Sequence, residues 1–106
     1  MIEKILKDRL VSVELYEEKL KKDMKKIVKL KKSEKELVAK RAGELENSIT
    51  EVLTFTDIYK KELKGFLAEG NFGMDKYQEK LSRYDDKFFD VLKFIQMKED
   101  ALKELE

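Results

Sequence analysis

Three sets of residues in this chain could do chemistry, and each calls for a different kind. Asp85, Asp86 and Asp90 fall in the run Arg83-Tyr84-Asp85-Asp86-Lys87-Phe88-Phe89-Asp90. On a helix, Asp86 and Asp90 are i, i+4 neighbours whose carboxylates could hold a hard cation. A tight site needs further oxygens from a second element, and no spacing supplies them, so no metal site is assigned. Glu17 interrupts an otherwise apolar stripe. A carboxylate in that position is either paired or abnormally titrating, and pairing with a lysine of another helix is the expected outcome. Lys22, Lys25, Lys26, Lys29 and Lys32 form the third set. At 100° per residue they all lie opposite Leu20, Met24 and Ile27, giving one basic, outward face that could neutralise phosphates of nucleic acid or of an anionic surface.

Catalysis has little to draw on beyond these. The 106 residues include no histidine and no cysteine, which removes nucleophilic triads, thiolate chemistry and the usual general base near neutral pH. The reading is therefore of a protein that is not an enzyme, with no cofactor, no catalytic residue and no small-molecule substrate. The absence of cysteine excludes disulfides. The first residues, Met1-Ile2-Glu3-Lys4-Ile5, lack the apolar run of a signal peptide, which makes a cytoplasmic location the expectation. Uninterrupted apolar stretches are two or three residues long, against the roughly 20 that a membrane span requires.

The elements that must position these residues are helices. Apolar residues recur at spacings of three and four almost from end to end: Leu6, Leu10, Val13, Leu20, Met24 and Ile27; then Val38, Ala42, Leu45, Ile49, Val52, Thr56, Tyr59, Leu63 and Phe66; then Met74, Tyr77, Leu81, Tyr84, Phe88, Val91, Ile95, Leu102 and Leu105. A repeat of this kind means packed helices. Charged residues make up 44% of the chain, enough to ionise almost all of the opposite faces. Ser33-Glu34-Lys35-Glu36 reads as a capping box, with Ser33 as N-cap and Glu36 reaching back. Gly70-Asn71-Phe72-Gly73 reads as a stop, followed by Asp75 and Gln78 as a fresh start. Helices are thus predicted over about 2–31, 34–69 and 75–105. The predicted fold is all-α, an antiparallel three-helix bundle or coiled coil forming a single domain over 1–106. The alternative is a long helical hairpin in which the first two helices are continuous, a rod of roughly 100 Å that must dimerise to cover its first stripe. In number and length of heptad helices the chain resembles spectrin-type repeats, a resemblance of architecture alone, because it has no tryptophan.

Two surface features remain. Residues 19–41 hold eleven basic and three acidic side chains, a net of +8, whereas residues 42–106 hold ten and fifteen, a net of −5; the molecule is bipolar although nearly neutral. Several apolar residues also escape the main stripe: Val11 and Leu15 on the back of the first helix, Phe55 and Ile58 on the second, and Phe89, Phe94 and Met97 on the third. Antiparallel pairing about turns near residues 32 and 72 would set Val11 level with residue 54 and Phe89 level with residue 55. Val11, Leu15, Phe55, Ile58 and Phe89 are therefore the candidate partner interface. They suit a protein–protein interaction module (scaffold, tether, chaperone or adaptor subunit) that binds itself or another helical protein. The alternative function is nucleic-acid or anionic-surface binding through the lysine face.

Overall fold

In the computed structural model the described residues are 2–70 and 74–106, with side chains described for 3–70 and 78–106. They form α1 (Ile2–Leu30), α2 (Glu36–Glu69) and α3 (Met74–Leu105), with no strand among them. The bundle measures 55 × 19 × 17 Å. That length excludes the continuous rod, and the chain breaks between α1 and α2 where the stripe reaches Lys31 and Glu34. The three helices therefore fold back on one another as an antiparallel bundle.

The break is made differently from the predicted capping box. The end of α1 tightens, with the Lys32 and Ser33 N–H groups donating to the Lys29 and Leu30 carbonyls at 3.1 and 3.0 Å. The Ser33 hydroxyl oxygen then accepts the Lys35 N–H at 3.2 Å, a local side-chain turn that competes with helix capping. Lys35 becomes the N-cap, with extended backbone and no side-chain cap bond, and Glu36 is the first residue of α2. At the other end Gly70 closes α2 at φ 67°, the left-handed conformation that a glycine adopts without the Cβ penalty. The predicted turn residues 71–73 and the side chains of Met74, Asp75 and Tyr77 lie outside the described residues.

All nine predicted stripe residues of α2, from Val38 to Phe66, are buried, and Ser48 and Phe55 join them. This wide buried arc follows from position: α2 packs on both neighbours, most extensively on α1, while α1 and α3 touch each other far less. Two clusters share the interior. One gathers Tyr16, Leu20, Ile27, Val38, Leu45, Ile49, Ile95 and Leu102 toward the α1–α2 turn. The other gathers Leu6, Val13, Tyr59, Leu63, Phe66 and Leu81 toward Gly70. Phe88 and Val91 pack against both. An aromatic stack of Phe55, Tyr59, Tyr84 and Phe88 lies between α2 and α3, with the Tyr59 and Tyr84 rings 5.0 Å apart. Among the described residues no helix is long and apolar enough to cross a membrane.

Candidate functional site

The predicted partner residues divide. Val11, Leu15, Ile58 and Phe89 stand out from the bundle at 56, 61, 48 and 58% exposure. Phe55 does not, and its place in the interface is corrected: it is buried, stacked on Tyr84, with the Lys87 ammonium 4.8 Å from its ring centre. Having two neighbours, α2 turns a flanking position into an interior one. Phe94 and Met97 are exposed as well, Met97 most of all at 70%. Lysines cover two of these rings from one side, Lys93 over Phe89 at 4.5 Å and Lys98 over Phe94 at 4.6 Å, in cation–π geometry.

The belt is not assembled as the turn positions implied. Glu17 meets Thr56 and Lys60, and Lys31 meets Glu46, so Val11 stands level with the stretch of α2 beyond Lys60 rather than with residue 54. The five-residue connection between α1 and α2 carries the chain further along the axis than a tight turn would. Phe89 does lie where it was placed, between the levels set by Tyr59 with Asp85 and by Ser48 with Lys98. The outward apolar residues therefore form separate short stripes, Val11 with Leu15 on α1 and Phe94 with Met97 on α3, with Ile58 and Phe89 apart from them.

Lys22, Lys25, Lys26, Lys29 and Lys32 are all exposed, and none is in an ion pair among the described residues. The basic end of α1 is thus a solvated face. Of the aspartates, Asp85 is structural: it accepts from the buried Tyr59 hydroxyl and from Arg9 Nε at 3.0 Å. Burial, then the hydrogen bond and charge of Asp85, push the Tyr59 hydroxyl well above its ordinary pKa. Asp86 and Asp90 are exposed, and no group of three or more metal-ligating side chains occurs among the described residues.

Glu17 is buried and paired as expected, with Lys60 Nζ 2.6 Å from Oε1 and the Thr56 hydroxyl donating to Oε2 at 2.9 Å. The Glu17 hydrogen bond holds the Lys60 ammonium above its usual pKa despite some burial.

The sequence reading missed a second carboxyl site. Asp23 of α1 faces Glu99 of α3 across the open side of the bundle. Lys19 Nζ bridges them, 2.9 Å from Asp23 Oδ2 and 3.4 Å from Glu99 Oε2. The other Glu99 oxygen, Oε1, is buried and accepts no hydrogen bond, and the nearby Tyr16 hydroxyl is also buried without a partner among the described residues. Burial, the hydrogen bond with Asp23 and the Asp23 charge raise the Glu99 carboxyl from 4.5 to about 7, against a smaller opposing pull from Lys19. Burial works against ionised Asp23 too, but hydrogen bonds from Glu99 and Lys19 hold it below its usual value. Tyr16 is pushed up by burial and by both carboxyls. The site borders a groove of about 400 Å³ whose apolar floor includes Ile27, Leu30, Leu45 and Leu102. The available signal was positional: Asp23 precedes Met24 of the stripe, and Glu99 sits four residues after Ile95.

Together the fold and these surfaces define an all-α three-helix bundle with a solvated basic face, outward apolar stripes and one polar, open seam. Comparisons with protein families, curated proteins and solved structures found no match.

Proposed function

We propose that this protein is a non-enzymatic interaction module that self-associates through the apolar side chains its core leaves outside. The observation that carries this reading is the exposure of Val11 with Leu15, and of Phe94 with Met97, as neighbouring pairs on helix faces turned away from the core. Single exposed apolar residues are ordinary, whereas contiguous ones mark contact surfaces. The occupant is a second copy of the chain, because the charge is arranged for it: the net +8 of residues 19–41 in one copy complements the net −5 of residues 42–106 in another, which would steer and orient the encounter.

Sedimentation equilibrium over a concentration series tests this. The expected mass exceeds the 12.6 kDa of one chain, and Val11→Asp or Met97→Asp returns it to that value while leaving the helix content unchanged. A wild-type chain that stays monomeric at every concentration overturns the reading.

A second reading rests on a different observation, the five exposed lysines that have no ion-pair partner among the described residues. It assigns the α1 face to duplex nucleic acid, with affinity falling steeply as salt rises. Titration with duplex DNA at low salt decides against it if no association occurs.

A further inference from the structure

The α1–α3 seam is unlike the other two. It is open, and besides the Arg9–Asp85 ion pair at 3.0 Å its polar link is Lys19, whose ammonium bridges two acids, Asp23 of α1 and Glu99 of α3, at 2.9 and 3.4 Å; two buried polar atoms beside them lack partners among the described residues. The charged and titratable groups around Glu99 come from both elements that face it. From α1 these are Tyr16, Lys19, Asp23 and Lys26, from α3 itself Lys103, and from just beyond it Glu106; α2 contributes only the apolar Leu45 to the groove. Lys19 touches both carboxyls, so with one proton on the pair the three groups sum to zero charge, and without it they carry a net negative charge beside an apolar floor. Two unprotonated carboxylates cannot hydrogen-bond each other. A proton on Glu99 lets it donate to Asp23.

We propose that this seam is a proton-operated latch: a proton held between Asp23 and Glu99 joins α3 to α1, and its release to solvent sets two carboxylates face to face, parts the helices and bares the groove floor. The partially buried setting gives the repulsion its strength, since like charges are least screened away from bulk water. The shift on Glu99 places the transition near neutral pH. Because Glu99 binds its proton more tightly in the closed seam than when solvated, the extra stability is complete below the ordinary carboxylate range. It falls as pH rises and is exhausted once pH passes about 7. Asp23 acts in the opposite sense at the acid end, its contribution being lost as pH falls through its depressed value. The latch is therefore tightest in mild acid.

Hydrogen exchange of the full chain, corrected for intrinsic rates and compared at about pH 6 and about pH 8, reads the latch directly. Amides of α3 from Ile95 to Leu102 are expected to lose protection severalfold at the higher pH relative to those of α2 around Val52, bounded by tenfold per pH unit for one proton. Glu99→Gln keeps α3 protected at both values, and Asp23→Asn, which leaves Glu99 facing Lys19 without a second acid, removes the pH dependence by another route. Should one variant fail to fold, the other carries the test. Wild-type protection that does not change with pH, or a change that persists in either folded variant, overturns the proposal.

Discussion

Glu17 and Glu99 are both carboxyls held at helix seams, and the protein treats them in opposite ways. Glu17, between α1 and α2, is closed in on both oxygens by groups that favour its charge, a lysine and a hydroxyl. Glu99, between α1 and α3, faces another acid, with one lysine bridging the pair and one oxygen left unpaired. The difference follows from packing. The α1–α2 seam is extensive and buries Glu17, and it must therefore satisfy what it buries, since an unpaired buried charge is among the costliest defects a core can hold. The α1–α3 seam makes few contacts and borders an open groove, so it tolerates an arrangement whose energy depends on a proton. One seam is built for permanence and the other for response.

Substitutions at the two seams should differ in size and in sign. The largest effect is expected at Lys60→Met, which strands Glu17 with only the Thr56 hydroxyl. Because Lys60 is itself partly exposed, the loss should be about 2 kcal/mol, below the range for fully buried pairs, read from denaturant unfolding at neutral pH. Tyr16→Phe in the open seam should do the reverse. It removes a buried hydroxyl that has no partner among the described residues while keeping the edge-on contact of the ring with Phe88 at 5.5 Å, so stability is expected to rise by about 1 kcal/mol. A loss at Tyr16→Phe similar to that at Lys60→Met would mean that the two seams are equally satisfied and would break the distinction.

How much of this was legible in the sequence depended on whether a feature was local. The α2 stripe from Val38 to Phe66 could be read because the helix period alone fixes it. Glu17 could be read because it lies on a stripe, and anything on a stripe must find a partner. Ser33 misled at the level of geometry: the spacing of a capping box was present, but the hydroxyl was satisfied two residues on, at Lys35, and the helix started later. Phe55 was placed outside because a flanking position is exposed on a helix with one neighbour, and α2 has two. The Asp23–Glu99 pair was beyond reach for a related reason. Its members are brought together only by the lateral placement of α3 beside α1, two helices joined through a third, and no periodicity within either records that placement.

The central claim, that the two seams hold their carboxyls by different means, is tested most directly by following the Glu99 carboxyl carbon by NMR across pH in the full-length protein. The account predicts a midpoint near 7 that falls substantially in Asp23→Asn, because the neighbouring acid is one of its causes. A wild-type midpoint at the ordinary carboxylate value of 4.5, unchanged by Asp23→Asn, would contradict it.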